Sequence, residues 1–358
     1  MRGADIQQDT LYSAVIPEER VPKDHSLRPI REMVNTALKE LDADFNALYS
    51  DMGRDSIPPE KLLRAQLLMT FYRIRSERQL MERVDYNLLF RWFVGFSMDD
   101  KVWDHSVFSK NRDRLLEGEV SHRFFAQVLS QAEDAELLSK EHFSVDETLI
   151  EALASHRSYR PKDEDGPPGG GGRNPTVDFH GERLSRDTPE SKTDKDAYLF
   201  KKTRGSESKQ AYHGHVLVEK RHGLVVGTKV SRRRSRPSER LLPTLWMCGR
   251  SHRITLGADK NDDTRDFVGE MREMKVTPHV APNDANRSSA IDERTTCHSG
   301  YATSQTIRKR IEGCFGWAKI LDGLRKSRFI GREKLDFQFV MTFAAHPVRM
   351  RNLGVVLC

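Results

Sequence analysis

Three acidic residues lie in segments of the chain where a carboxylate is unusual, and metal binding would explain their presence. Asp146 is inside the apolar run FSVDETLI, a β-type sequence that normally excludes Asp. Asp259 ends the run RITLGAD, and Glu312 lies in a helical pattern. Carboxylates brought together from distant parts of a chain can hold two divalent cations about 4 Å apart, as phosphodiester cleavage requires. We therefore predict Asp146, Asp259 and Glu312 as metal-binding, catalytic residues.

The helix that carries the third acid is predicted to carry two cations on the same face. On a continuous helix, Arg308, Glu312 and Lys319 fall at about 0°, 40° and 20°. Such a row would bind a metal ion through Glu312 and DNA phosphates through Arg308 and Lys319. A surface ladder of ion pairs is an equally good explanation of this helix when it is considered alone.

Two further acids, Asp262 and Asp263, compete with Asp259 for the second metal-binding position. Asp259 is preferred because it directly follows an apolar strand, whereas Asp263 is placed to cap the next helix. Taken singly, Asp146 and Asp259 would serve equally well as turn residues or helix caps. Their joint placement is what favours catalysis.

The strands that would position these acids form a recognisable order. Five β-type runs follow residue 142, and helical patterns separate the later ones: HFSVDETLIEA, KQAYHGHVLVEKR, GLVVGTKVS, RITLGAD and VTPHVA. They predict an α/β fold with a mixed five-stranded sheet, in which an antiparallel meander of three strands is followed by two parallel strands. This is the strand order of the RNase H-like fold. It makes the first and fourth strands neighbours, so Asp146 and Asp259 would converge.

The part of the chain before this sheet is predicted to be helical. Apolar residues recur every three or four positions from residue 27 to about 116, and Ser76 and Ser106 are placed to cap two of the helices. The last of these helices would expose a basic side, as in a helix-turn-helix reader of DNA, with Lys110, Arg112 and Arg114. A plain helical bundle with a solvated basic face explains the same pattern.

Composition limits the possible functions without choosing one. The 358 residues include 59 Lys and Arg against 53 Asp and Glu, a net charge of +6 that suits a polyanionic partner or solubility alone. The four cysteines form no CxxC pair, and His213, His215 and His298 have no cysteine at ligand spacing, so a structural zinc protein is a weak alternative. No signal peptide or run of roughly 18 apolar residues occurs, so we expect a cytoplasmic protein without membrane contact.

Two segments of unusual composition flank the second and third strand runs. Residues 156–197 are rich in Gly, Pro and charge, which predicts a flexible insertion. Four glycines in it precede Arg-Asn-Pro rather than Gly-Lys-Ser/Thr, so the segment is not a phosphate-binding P-loop. The segment SRRRSRPSER supplies further candidate contacts to DNA phosphates: Arg232, Arg233, Arg234 and Arg236.

Several long stretches resemble the DDE transposases of bacterial insertion sequences, most closely the insertion-sequence-five group. They are IPPEKLLRAQLLMTFYRIRSERQLMERVDYNLLFRWFVGFSMDDKVWDHSVFSKNRDRLL, FSVDETLIEALASHRS, LGADKNDDTRDFV, VTPHVAPN and RKRIEGCFGWAKILDGLRK, and the resemblance extends from residue 11 to about residue 345. The metal-holding acids of that family fall on Asp146, Asp259 and Glu312. Arg308 and Lys319 match the helix residues that accompany the third acid.

The resemblance implies an organisation of the whole chain. It implies an N-terminal arm (1–26), a helix-turn-helix-like, all-α DNA-binding region (27–135), an RNase H-like DDE catalytic domain (136–345) and a C-terminal tail (346–358). The expected activity is metal-dependent cleavage and strand transfer at an element's terminal inverted repeats. The resemblance further implies two Mg²⁺ ions, with Mn²⁺ as a substitute, target DNA as a second substrate, and a homodimer or higher assembly on DNA. Such a protein would be nucleoid-associated in a bacterial cytoplasm.

Some positions depart from the family pattern. Asn261 and Asp262 follow the second acid where we expect an aromatic residue, Gln305 stands where the wider signature has Tyr, and Pro347 interrupts an expected helix. These departures leave an alternative open: a catalytically inactive, decayed transposase copy that acts only as a DNA-binding protein.

Overall fold

A run of helices precedes the first strand of the sheet. The structure, a computed structural model, describes residues 15–49, 56–117, 119–139, 141–154, 159–161, 189–201, 207–232, 254–284, 288–321 and 323–349. The described helices of the first part are α1 Pro17–Arg20, α2 Leu27–Glu40, α3 Asp42–Leu48, α4 Pro59–Phe71, α5 Glu77–Tyr86, α6 Leu88–Val94, α7 His105–Glu117 and α8 Val120–Asp134.

Capping residues set the boundaries of several of these helices. The Ser76 hydroxyl accepts a hydrogen bond from the Gln79 backbone N–H at 3.2 Å, which confirms Ser76 as the cap of α5. The predicted cap of α7 is wrong. Asp104 accepts from the Ser106 N–H at 2.8 Å, so Ser106 lies inside the first turn. Asp104, the residue before α7, is the cap because its carboxylate accepts from a backbone N–H of the first turn that has no partner within the helix.

The strands form one mixed sheet and a small separate ribbon. Their bounds are β1 His142–Glu151, β2 Tyr159–Pro161, β3 Pro189–Ser191, β4 Tyr198–Phe200, β5 Lys209–Glu219, β6 Val225–Ser231, β7 Ile254–Ala258 and β8 Val276–Val280. β1 is antiparallel to β5 and β5 to β6, whereas β1 is parallel to β7 and β7 to β8. The predicted order and directions of the five strands are therefore confirmed.

The predicted flexible insertion contains ordered structure at its ends. β2 pairs with β3 in a two-stranded ribbon, and the short β4 lies beside β6 along the same edge of β5. Asp194 is buried and accepts a hydrogen bond from the Tyr212 hydroxyl at 2.5 Å. The prediction of a flexible segment is thus wrong for residues 189–197. Strand pairing and the buried hydrogen bond of Asp194 order these residues, although they bury little apolar surface. Residues 162–188 lie outside the described part.

The remaining described helices cover the sheet. They are α9 Arg265–Glu273, α10 Glu293–Thr296, α11 Ser299–Arg308, α12 Ile311–Leu321 and α13 Arg332–Arg349. The helix predicted between β6 and β7 lies outside the described residues. None of the helices in the described ranges combines the length and the apolar character needed to cross a bilayer.

Helix α13 joins the two parts of the molecule. It packs on β6 and also on α2, α4, α7 and α8, so the buried apolar residues form one core across the expected boundary near residue 135. Its Phe339 ring fills the space above Gly214 of β5, where a Cβ would lie 2.6 Å from the ring. Pro347 does not end α13, which continues to Arg349.

Candidate active site

Two of the three predicted carboxylates converge on one face of the sheet. Ser144 of β1 pairs with Gly257 of β7, and Asp146 and Asp259 each follow two residues later. Because alternate side chains of a strand share a face, both aspartates project from the same side of neighbouring parallel strands. Arg308, at the end of α11, places Nη2 3.6 Å from Oδ1 of Asp259. The structure thus brings Asp146, Asp259 and Arg308 together as predicted.

The carboxyl group of Asp146 is electrostatically strained. Burial, followed by the carboxylates of Asp259 and Glu147, raises its pKa from 3.8 to about 6. A hydrogen bond from the Glu147 backbone N–H, 2.7 Å from Oδ1, and the charge of Arg308 act in the opposite direction. A half-buried acid beside a second acid favours the binding of a cation between them.

Glu312 does not join this pair. The predicted continuous helix is broken: α11 ends at Arg308, α12 begins at Ile311, and Glu312 is exposed. The backbone N–H of Glu312 bonds to the carbonyl of Lys309, three residues back, so the joint is wound like a 3₁₀ turn. Such a turn advances about 120° per residue rather than 100°, which over four residues rotates Glu312 roughly 80° from its predicted direction.

The described residues contain no group of three His, Cys, Asp or Glu side chains placed to hold a metal ion. The three-carboxylate site therefore stays a prediction for Glu312. Lys319 is half-buried on α12, beyond the same joint. Lys319 was predicted to lie on the same face as Arg308 because one continuous helix was expected. The break between α11 and α12 removes the reason for that prediction.

The residues after β7 clarify which acid accompanies Asp146. Asp263 is buried, and its carboxylate accepts backbone hydrogen bonds from Asn283 at 2.7 Å and Ala290 at 2.8 Å. Thr264, not Asp263, caps α9, so the predicted capping role of Asp263 is wrong. Asp263 instead ties down the loop after β8, which leaves Asp259 as the acid at the strand end.

Asn261 and Asp262 stand where the family resemblance leads one to expect an aromatic residue. The side-chain contact here is made by Asn261. Its side-chain amide donates to Oδ2 of Asp259 at 3.2 Å. Asp262 is buried in the short 3₁₀ turn Lys260–Asp262. The departure therefore adds a hydrogen bond to Asp259.

Sequence reasoning missed a buried lysine behind the aspartates. Lys220, directly after β5, is 6% exposed and donates to the Ser304 hydroxyl and to the Ser304 carbonyl at 3.3 Å. Burial, together with the charge of the nearby Arg308, lowers its pKa to about 8. Ser304 and Arg308 are four residues apart on α11 and share a helix face, so Lys220 anchors the turn before Arg308.

The one signal for this contact in the sequence is Gly257. A Cβ at that position would lie 2.8 Å from the Lys220 nitrogen, so only glycine leaves room for the lysine across β7. A lysine that follows a strand is ordinarily exposed. The burial of Lys220 therefore results from the packing of the sheet and is not predictable from the residues next to it in the sequence.

The opposite face of the sheet carries two histidines. The rings of His213 and His215 are stacked with an interplanar angle of 13°, and Oε2 of Glu147 lies 3.5 Å and 3.9 Å from their Nδ1 atoms. The interpretation of HGH as two side chains on one strand face is confirmed. His298 is exposed at the start of α11, and no described group of metal-binding size includes it.

The candidate DNA contacts on α7 divide into two kinds. Lys110 and Arg114 are exposed. Arg112 is 5% exposed, forms an ion pair with Glu77 and lies 4.5 Å above the Phe329 ring. The expectation that Arg112 lies on the exposed side of its helix is wrong, because it clamps α7 to α5 and to the loop before α13.

The basic segment after β6 is described only at its first residue. Arg232 pairs with Asp196 at 3.2 Å, donates to the Lys195 carbonyl at 2.6 Å and lies 5.9 Å from the Tyr198 ring centroid. These contacts fold Arg232 back onto β4. The other three predicted contacts lie outside the described residues: Arg233, Arg234 and Arg236.

Residues 15–114 match the family described as "Transposase domain (DUF772)". A search of curated proteins gave no match. Among solved structures, the chain is similar to a pre-cleavage Mos1 transpososome, with 10% identity over 85% of this chain and 82% of that chain and a TM-score of 0.21. A Mos1 strand transfer complex follows, with 11% identity, 78% and 83% coverage and a TM-score of 0.20. These TM-scores are too low to establish a shared fold.

Proposed function

We propose that the protein, whose residues 15–114 match the transposase-domain family, is an insertion-sequence transposase of the insertion-sequence-five group. It binds the terminal inverted repeats of its element as double-stranded DNA, cleaves the strands and joins them to target DNA. A symmetrical pair of element ends suits a homodimer or higher assembly.

The observation that carries the catalytic proposal is the convergence of Asp146 and Asp259. They project from one face of adjacent parallel strands, with Arg308 beside Asp259. The order and directions of the five strands support an RNase H-like catalytic domain. In open α/β sheets, ligands bind at the carboxyl ends of the strands, and Asp259 directly follows such an end.

The two aspartates fit one divalent cation by charge and by donor type. Mg²⁺ takes oxygen ligands and is commonly held by one or two carboxylates together with water and phosphate oxygens. The Asp146 carboxyl, whose pKa is raised to about 6, is ionised at neutral pH and gains a counter-charge when a cation binds. When bound, the ion supplies a Lewis acid that polarises the phosphate and activates water. The proposed second Mg²⁺, or Mn²⁺ in its place, requires Glu312 as well.

The neighbouring cations complete the proposed chemistry. Arg308 neutralises Asp259 in the free protein, and its guanidinium is placed to donate to a phosphate oxygen once a cation takes over that role. Lys220 holds α11 through Ser304 and so keeps Arg308 at the carboxylate pair. Lys319 remains a candidate phosphate contact beyond the joint.

A second candidate function is supported by the position of Glu312. Its exposure and the absence of a three-donor group among the described side chains fit a decayed copy that binds element ends without cutting them. Such a protein would keep the DNA-binding surface and lose the chemistry. The two functions differ in cleavage alone.

The test is nicking of a labelled duplex that carries the terminal sequence flanking the gene, in Mg²⁺ and in Mn²⁺. We expect Asp146→Asn, Asp259→Asn and Glu312→Gln each to lower nicking at least about 100-fold while duplex binding is unchanged. Glu273→Gln, which changes an exposed acid on α9, is the matched control and should nick normally.

The outcomes separate the candidates. Wild-type binding without nicking in either metal selects the DNA-binding protein. Full activity of Asp146→Asn contradicts the assignment of the site. Loss of activity in the two aspartate variants but not in Glu312→Gln would show that two carboxylates suffice.

A further inference from the structure

Helix α5 presents a broad exposed face to solvent. Its buried side consists of Leu80, Met81 and Val84. The exposed residues fall within about 160° of the helix circumference, counted at 100° per residue. They are Arg78, Gln79, Glu82, Arg83, Asp85 and Tyr86. These six residues, called the α5 face below, are of types that contact DNA phosphates and base edges, Glu82 and Asp85 excepted.

Arginines surround the beginning of this helix. Arg73 and Arg75 are exposed in the turn between α4 and α5, and Arg78 and Arg83 follow on the helix itself. Arg73 adopts a left-handed backbone conformation with φ of 56°, which fixes the sharp turn that precedes α5. Four guanidinium groups therefore lie within 11 positions of one another on the chain.

The acids of the same region are mostly neutralised. Glu77 forms an ion pair with the buried Arg112, and Asp85 lies 3.5 Å from Nη1 of Arg91. Glu82 is the other acid of the α5 face. Four exposed arginines therefore outnumber the two exposed acids of this surface. This balance is complementary to a phosphate backbone.

An aromatic residue and a pocket complete the surface. Tyr86 is 86% exposed at the end of α5. A surface pocket of about 480 Å³ lies beside it, lined by Glu82, Arg83, Tyr86, Asn87 and Leu88. A guanidinium, an amide and a phenol at one concave site can donate to phosphate oxygens and to base edges.

Helix α7 is a weaker candidate for the same role. Arg112 is buried in contacts to α5 and Phe329, and Arg114 lies 5.0 Å from the Tyr49 ring centroid. Helix α4 is largely buried, and a short turn, residues 72–76, joins it to α5. A buried helix, a short turn and an exposed second helix are the arrangement of a helix-turn-helix reader.

From the α5 face, its arginines and its pocket, we infer that α5 rather than α7 is the helix that contacts double-stranded DNA. This inference rests on the proposed function, because it assigns the surface that recognises the element ends. The occupant is duplex DNA, bound through phosphate contacts of the arginines and contacts of Gln79 and Tyr86 to the groove.

The test compares two variants of the full-length protein that lose equal charge. Arg78→Ala/Arg83→Ala removes two cations from α5, and Lys110→Ala/Arg114→Ala removes two from α7. Fluorescence anisotropy is measured with a labelled duplex of the gene's flanking terminal sequence and with a scrambled duplex, over a series of KCl concentrations. Tyr86→Ala is a third variant, and because the Tyr86 side chain is 86% exposed, the substitution removes little packing.

We expect the α5 double variant to bind the terminal duplex about 10- to 100-fold more weakly and to reduce the salt slope by up to about 2. The α7 variant should stay within about 3-fold of wild type, and Tyr86→Ala should lower binding of the terminal duplex more than that of the scrambled duplex. Normal binding by the α5 variant, or a larger loss in the α7 variant, overturns the inference and leaves the proposed function standing. A wild-type protein that binds neither duplex overturns both.

Discussion

The half-buried carboxyl group of Asp146 opposes folding whenever it is ionised. Burial and the neighbouring Asp259 carboxylate raise its pKa from 3.8 to about 6. A difference of about two pKa units corresponds to about 3 kcal/mol between the two protonation states. Asp146→Asn removes the charge and keeps the shape. We expect it to raise the free energy of unfolding by about 1 to 3 kcal/mol at about pH 8, without divalent cations.

The sign of this effect follows from the two pKa values. The folded state holds the Asp146 proton up to about pH 6, whereas the unfolded state releases it near pH 3.8. Between these values the wild type therefore loses stability as the pH rises, and above about pH 6 the loss is constant. The advantage of Asp146→Asn should be small near pH 4 and complete near pH 7. Urea denaturation with EDTA at several pH values measures it.

Asp259→Asn is the matched control for this measurement. The Asp259 side chain is 34% exposed and paired with Arg308 at 3.6 Å, so its removal relieves no comparable desolvation. We expect its stability to equal that of the wild type or to fall slightly below it. A gain for Asp146→Asn that does not vary with pH, or no gain at all, would refute the electrostatic reasoning.

Three other substitutions test contacts elsewhere in the structure. Gly214→Ala places a Cβ 2.6 Å from the Phe339 ring, so urea denaturation should show a loss of about 1 to 3 kcal/mol. Lys220→Met removes the anchor of α11 but also a buried charge, so nicking should fall about 10-fold while the urea midpoint stays near wild type. Asp336, 2.6 Å from His122, raises the pKa of His122 above 6.5. This stabilisation is complete below pH 6.5 and lost as the pH rises through the raised pKa, so thermal melting of His122→Gln and wild type should converge at high pH.

Periodicity in the sequence was enough to predict the main sheet. The five long strands carry apolar runs bounded by turn residues, and the rules of strand connection leave few orders for them. The short β2, β3 and β4 have three residues each and no such run. They are ordered by pairing and by the buried contact of Asp194 with Tyr212, which are properties of the assembled fold.

The carboxylate pair was predictable for a related reason. An acid inside a β-run and an acid at a strand end are both exceptions to local preference, and the strand order places them side by side. Lys220 and Ser304 show no such exception, because a lysine after a strand and a serine in a helix are ordinary. Only the room left by Gly257 makes the lysine buried.

The joint between α11 and α12 decides whether a third carboxylate can reach the pair. Ile311 and Cys314 are buried and fix the rotation of α12, whereas Arg308 is fixed separately through α11. A straight helix would turn Glu312 by roughly 80°, to within about 40° of Arg308, which lies beside Asp259. The same rotation would move Ile311 and Cys314 out of the core, at a cost on the order of a few kcal/mol. Cation and DNA binding together must offset that cost in an active transposase, whereas a DNA-binding protein that does not cut has no need to. We therefore expect the proposed cleavage to require ligand binding strong enough to offset the cost of rotating α12.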